Sequence, residues 1–274
     1  MAKEETKRIA TTLRIAAAAS LAGALNAIRS DLLQLGVTEI DIYQGSSGYL
    51  AGRLLGEYDP LSADIFFPAA WFPMEDLIDP EAAGFIGRSP LVDEDDVCNV
   101  LGNKLVLIKN KNPLPCPING FADVTYCNTV AVGTQIFVAI PYSYPLGSPT
   151  GIPYNVPAGR YAKAAFRYFG RWGFVKNHAT FTDMWNVTQV LNAVANASGP
   201  AIGVVYETDA ISRPSDVEII DYAPPCVNSS IIYPIAPLLN SDVSLGILES
   251  VINFIKGPGM IHFTNRGFID LNQA

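Results

Sequence analysis

Leu13-Arg14-Ile15-Ala16-Ala17-Ala18-Ala19-Ser20-Leu21 is the stretch from which this 274-residue chain is best read. Leu13 to Ala17 is a short apolar run of the kind found in a strand buried on both faces. From Ser20 the apolar residues fall at 21, 24, 25, 28 and 32, one face of a helix running to Leu35. A strand that turns directly into a helix through a small hydroxylated residue is the repeating unit of an α/β fold. The unit recurs. Glu39 to Tyr43 reads as a strand, followed by the turn Gly45-Ser46-Ser47-Gly48 and a helix to about Glu57. Ala63 to Phe67, Lys104 to Ile108, Ile136 to Ala139 and Ile202 to Tyr206 read as further strands. Ala158 to Phe169, with Pro157 at its start, and Thr182 to Ala195 read as helices. Ile231 to Leu239 is extended, and Ser244 to Lys256 is helical up to the breaker Gly257-Pro258-Gly259. The pattern predicts an α/β fold with largely parallel sheets.

Composition narrows the class of partner. Apolar residues are 49% and charged residues 16%, ample for a large core and unlike a disordered chain. Eighteen Lys and Arg against 26 Asp and Glu leave a net charge of -8, which argues against nucleic acid or anionic lipid. The same balance argues, at first sight, against an anionic ligand. No run of 18 apolar residues is present, so no transmembrane helix is expected. The apolar core from Ile15 to Leu25 belongs to the first strand and helix rather than to a secretory leader, so an exported form is expected to have lost its signal. Four cysteines are too few for a disulfide scaffold; Cys116 and Cys127 either bridge one loop or stay free thiols. With no CxxC pair and only His178 and His262 to join them, a zinc site is not expected.

The usual catalytic patterns are missing. There is no GxSxG elbow, no Walker loop and no GxGxxG. Two histidines leave little scope for nucleophilic catalysis, and Asp93-Glu94-Asp95-Asp96 reads as a solvated face or helix start. An enzyme is therefore not expected. What recurs is a strand end opening a helix: at Ala19-Ser20, at Ser46-Ser47, at Val156-Pro157-Ala158-Gly159 and, less clearly, from Asp183 to Val187. Each junction points unpaired backbone N–H groups and the positive end of a helix dipole out of the sheet. Taken singly, each serine is a helix cap. Converging on one crevice, they make an anion site without Lys or Arg.

In order along the chain, several blocks resemble the molybdate-binding proteins of ABC importers. They are Ala16-Ala17-Ala18-Ala19-Ser20-Leu21, Gly45-Ser46-Ser47-Gly48, Ala63-Asp64-Ile65-Phe66 and Leu101-Gly102-Asn103-Lys104-Leu105-Val106. Val156-Pro157-Ala158-Gly159-Arg160-Tyr161-Ala162, Gly203-Val204-Val205-Tyr206 with Thr208-Asp209-Ala210, Lys256-Gly257-Pro258 and Gly267-Phe268 complete the set. The resemblance implies the two-lobed type II periplasmic-binding-protein fold, each lobe a mostly parallel sheet flanked by helices. Lobe one would span 13–105 plus 240–274 and lobe two 106–230, with crossover strands near 105–109 and 231–239. It further implies capture of molybdate or tungstate by neutral donors. Ser20 and Ser46 match hydroxyl donors, with Ser47 one register away. Ala158 and Val187 match backbone amide donors, and Tyr206 matches a phenol. The implied partner is an ABC permease and the implied place periplasmic or extracellular, at the membrane through the transporter or a lost lipid anchor. A monomer without a cofactor is expected.

Two departures bear on the ligand. Phe67-Pro68-Ala69-Ala70-Trp71 stands where the family has Ser-Ala-Asp, at the cleft end of a strand. From Asn112 to Asn155 the chain carries seven of its 20 prolines and one charged side chain, Asp123; within it, Tyr142 to Tyr154 resembles an insertion serving as lid, cleft wall or oligomer contact. The alternative is a binder of another small anion, a carboxylate or phosphate ester, which would need a cation in the cleft. Arg53, Arg160 and Lys163 are the nearby ones and are expected to turn outward.

Overall fold

In the computed structural model the residues described are 11–57, 59–111, 116–129, 133–139, 142–143, 154–181 and 184–273. Leu13–Ala18 lies in β1 (Thr12–Ala18), which pairs in parallel with β2 (Glu39–Gly45) on one side and β3 (Ile65–Phe67) on the other. Flanked on both edges and covered on both faces, the strand is buried from Ile15 to Ala18, which is why those four positions are all apolar, whereas Thr12 and Arg14 before them are only partly buried. Buried Asp64 ties this region together, accepting from the Arg14 amide at 2.6 Å and the Ser241 hydroxyl at 2.7 Å.

Among the described residues the strands form a six-stranded and a four-stranded sheet, plus the pair β7 (Tyr142–Ser143) and β8 (Tyr154–Asn155). The larger sheet runs β12 (Ile269–Asp270), β4 (Cys98–Gly102), β11 (Ile232–Pro237), β3, β1, β2; the smaller runs β10 (Val217–Tyr222), β5 (Leu105–Asn110), β9 (Ala201–Tyr206), β6 (Gln135–Phe137). Both sheets are mixed, not mostly parallel. Among the described strands, β1 with β2 and β3, and β6 with β9, pair in parallel. β4, β5, β10 and β11, which flank the two passages between the sheets, make antiparallel pairs. The chain leaves the first sheet across Asn103 and Lys104 and returns between Tyr222 and Ile232, so residues 105–222 supply all four strands of the second.

Helices cover the faces: α1 (Ala22–Ala27), α2 (Arg29–Leu32), α3 (Ser47–Leu54), α4 (Phe72–Ile78), α5 (Pro157–Tyr168), α6 (Trp172–His178), α7 (Val187–Ala195), α8 (Glu207–Ser212), α9 (Pro225–Asn228), α10 (Leu245–Lys256) and α11 (Met260–Thr264). The helix expected from Ser20 to Leu35 is broken: a 3-10 turn spans Ala19–Leu21, and Ile28 (φ -95°, ψ 1°) separates α1 from α2. Ile28 and Leu32 are nevertheless both buried, so the apolar face is kept across the break. The helix expected from Thr182 begins instead at Val187, where Asn186 and Gln189 form a capping box; Thr182 and Asp183 lie outside the described residues. Residues 144–153 of the loop read as an insertion are also outside them.

Asp93 caps a 3-10 turn by accepting from the Asp95 amide at 3.1 Å, the helix-start reading of that acidic run. All four cysteines are free thiols, Cys116 and Cys127 included. One apolar cluster runs through both sheets, from Leu13 and Ile15 to Leu105, Val204 and Val205. α7 buries Val187, Val190, Leu191 and Val194 in it, about 1.5–3 kcal/mol for each such side chain. Gly203 makes that seating possible: a Cβ there would lie 2.6 Å from Val194 and 3.0 Å from Val190. The bare backbone of β9 lets α7 settle directly onto it, bringing the helix start beside the strand end at Tyr206.

Candidate functional site

Helix starts and strand ends meet at one place. β1 ends at Ala18, β2 at Gly45 and β9 at Tyr206, and α3, α5 and α7 begin at Ser47, Pro157 and Val187. Ser20, Ser46, Ser47, Ala158, Val187 and Tyr206 all border a single pocket between the two sheets. The first three come from elements of the six-stranded sheet, the others from those of the four-stranded one. The pocket lies outside the carboxyl ends of parallel strands, where α/β sheets ordinarily receive ligands. None of its lining residues is Asp, Glu, Lys, Arg or His.

The donors are specific. Ser46 is the N-cap of α3, in extended conformation, yet its hydroxyl caps nothing and is buried without a hydrogen-bond partner. The Tyr206 hydroxyl is also buried and partnerless. Two such orphans in one pocket are uncommon, because a buried polar atom left unpaired costs about 1–3 kcal/mol. Ser47 differs: its Oγ accepts from the Ala69 amide at 3.0 Å, so it braces the segment after β3. That segment is the departing Phe67-Pro68-Ala69-Ala70-Trp71, and Ala69 itself borders the pocket. At α5, Pro157 occupies the first turn and has no N–H, so Ala158 supplies the first amide. At α7 the Asn186 side chain takes the Gln189 amide at 3.1 Å, leaving the Val187 amide uncapped. Three helices of 8, 12 and 9 residues thus turn their positive ends to one space.

The Tyr206 phenol is held well above its ordinary pKa, first by burial and then by Tyr233, Tyr161 and Asp209, so it stays a donor at any physiological pH. The pocket is small and partly open to solvent. A lining of hydrogen-bond donors without a charged side chain can surround a small anion.

The three cations that the sequence placed beside these junctions do not line the pocket. Arg53 pairs with Asp59 at 2.7 Å, Arg160 stacks over Phe72 at 4.1 Å and Lys163 lies over Trp172 at 5.8 Å. His178 hydrogen-bonds the Phe174 carbonyl at 2.9 Å and stacks on that ring. Among the described residues no group of His, Cys, Asp and Glu could hold a metal ion, and no helix is long and apolar enough to cross a membrane. Gly45, Ala69 and Asn186 also border the pocket; each lies in a stretch the sequence marks, but none was expected to supply a donor.

Two mixed α/β sheets with a donor-lined pocket between them define a ligand-capturing protein of the periplasmic-binding-protein type. The family model for bacterial extracellular solute-binding proteins matches residues 13–245, and the chain belongs to that family. Such a family is a transport class, not an enzyme class. No curated protein matches the sequence. Among solved structures, the Azotobacter vinelandii periplasmic molybdate-binding protein is 15% identical with a TM-score of 0.65, covering 94% of this chain and 98% of its own. A Clostridium difficile substrate-binding domain assigned to a molybdenum ABC transporter is 21% identical with a TM-score of 0.62 over 96% and 100%. The sulfate-binding protein SubI from Mycobacterium tuberculosis is 16% identical with a TM-score of 0.63 over 95% and 87%. The three share the fold.

Proposed function

We propose that this solute-binding protein captures molybdate or tungstate in the pocket between its sheets and hands it to the permease of an ABC importer outside the cytoplasm. The observation that carries the reading is the lining: two orphaned buried hydroxyls, Ser46 and Tyr206, and three helix starts, with no charged side chain. Ser20, Ser46 and Tyr206 give hydroxyl protons and Ala158 and Val187 give amides, while Ser47 shapes the wall. A fully deprotonated oxyanion accepts at every oxygen, so each donor finds a partner. Water excluded from the pocket makes each bond stronger. Net charge of -8 does not oppose this, because the site works through local dipoles.

One matched neighbour binds molybdate and another sulfate, both tetrahedral oxyanions of this kind. Pocket radius is the property that separates them, since the smaller anion leaves some donors out of reach. A carboxylate or phosphate ester would call for a cation, and none of the pocket's lining residues is one.

Thermal unfolding tests the class of ligand. Molybdate or tungstate at 100 to 1,000 times Kd is expected to raise Tm by about 5–15 °C, and acetate or glycerol phosphate at equal concentration by none. A shift with glycerol phosphate and none with molybdate would transfer the site to the other class.

A further inference from the structure

Beside the two orphaned hydroxyls stands an orphaned acid. Asp209 lies in the first turn of α8, which Tyr206 precedes as N-cap. It is buried, and its Oδ2 has no hydrogen-bond partner among the described residues. Asp209 is not part of the donor-lined pocket. It borders a separate, larger cleft, which shares Ala19 and Ser20 with that pocket and also has Arg266 and Phe268 in its wall. Ser20 thus touches the anion pocket and the space that reaches the acid.

The surrounding groups are engaged with one another rather than with Asp209. Glu207 pairs with Lys104 at 3.2 Å and accepts from the Tyr222 hydroxyl at 2.7 Å. Arg213 pairs with Asp216 at 2.7 Å and donates to Asn192 of α7 at 2.7 Å; α7 itself has no titratable side chain. Across β5 and β10, Lys109 pairs with Glu218 at 3.4 Å, and Asp221 accepts from the Phe121 amide at 2.9 Å. Arg266 donates to the His262 carbonyl at 2.8 Å. The Tyr233 hydroxyl lies 3.0 Å from Ser20 Oγ and 3.1 Å from Asn103 Nδ2, and Tyr161 donates to the Ser230 carbonyl at 2.9 Å. Burial first, and then neighbours that include the Asp209 charge, hold the Tyr206 and Tyr233 phenols above their ordinary range.

A field that reaches the Tyr206 phenol also reaches an anion held by that phenol. A dianion in the pocket and an ionised Asp209 place three negative charges close together, and no cation lines the pocket. Little water intervenes to weaken their repulsion, and a carboxylate next to a like charge takes a proton. We propose that Asp209 couples capture of the oxyanion to uptake of one proton from solvent, which enters by the cleft beside Ser20, so that dianion and proton are bound together. In the unliganded protein, burial pushes the carboxyl up to about 7, so neutral solution holds both forms and the dianion selects the protonated one. The proposal rests on the oxyanion reading of the pocket.

Tungstate binding heats measured in two buffers of different ionisation enthalpy count the protons taken up. With the carboxyl at about 7, about nine-tenths of unliganded molecules carry the charge at pH 8 and about one-tenth at pH 6. Wild type is expected to take up about 0.9 proton per tungstate at pH 8 and about 0.1 at pH 6. Its Kd is expected to rise about tenfold between the two, as the protonated fraction falls. Asp209→Asn has no charge at either pH. It is expected to take up none, to bind equally at both, and to bind about tenfold more tightly than wild type at pH 8. The wild-type proton count needs no variant, so it stands whether or not Asp209→Asn folds. Wild-type heats at pH 8 that do not depend on the buffer, or uptake that persists in Asp209→Asn, would overturn the proposal, while tungstate binding itself kept the oxyanion reading. Failure of wild type to bind tungstate at either pH would remove that reading, and the proposal with it.

Discussion

Replacing Ser46 with Ala and Tyr206 with Phe together is expected to weaken molybdate or tungstate binding by a factor of about 10² to 10⁴. Each hydroxyl contributes one hydrogen bond to a charged ligand, about 1.5–3 kcal/mol, and two of them give about 3–6 kcal/mol. The unliganded protein makes no use of either group: both hydroxyls are buried and partnerless. Their removal is thus expected to leave Tm unchanged or to raise it. Binding lost with stability kept is the signature of groups reserved for a ligand. A variant that unfolds several degrees earlier, or that binds as wild type does, would contradict those roles. Calorimetry and thermal unfolding on the same preparations read both halves.

Asp209→Asn is expected to stabilise the protein at pH 8 by on the order of 2–4 kcal/mol. Asp209 is buried in the first turn of α8, and its Oδ2 has no hydrogen-bond partner. Burial pushes its carboxyl up to about 7, and the nearby Tyr206 backbone N–H offsets only part of that. Between the ordinary carboxylate range and about 7 the folded protein holds a proton that the unfolded chain has released. Wild-type stability therefore falls as pH rises through that window, and the full penalty is present above it. An amide carries no charge at any pH in that range. The difference in unfolding free energy between variant and wild type is expected to be large at pH 8 and to shrink toward pH 5, and a pH-independent difference would contradict the burial account. Denaturant titrations at both pH values supply the numbers.

The two predictions differ in how far the sequence alone anticipates them. Ser46 and Tyr206 are legible because each belongs to a local pattern: a Gly-Ser-Ser-Gly turn after an apolar run, and a tyrosine closing the run Gly203-Val204-Val205. Strand ends and helix starts are fixed by neighbours a few residues apart, so β1, β2, β9, α5 and α10 are readable from spacing. The ordered resemblance of short blocks added what spacing cannot, that these junctions share one crevice.

Other features have no local signal. Ile28 breaks a helix without a glycine or proline, and the apolar period runs on through it. Strand β10 is half exposed, and its charged positions hide it from a search for apolar runs. The mixed character of the sheets follows from where the chain passes between them, a decision about connections and not about any one segment. Tyr233 looks like one more core aromatic in an extended run; its partners Ser20 and Asn103 lie 213 and 130 residues away. A chain of hydrogen bonds assembled across such separations is set by the fold, and only the fold discloses it.

Calorimetric titration of anion-free protein with molybdate, tungstate, sulfate and phosphate at pH 8 tests the central claim most directly. Molybdate and tungstate are expected to bind tightly with one site per chain, sulfate more weakly and phosphate not measurably. Sulfate binding as tightly as molybdate, or no oxyanion binding at all, would contradict the account.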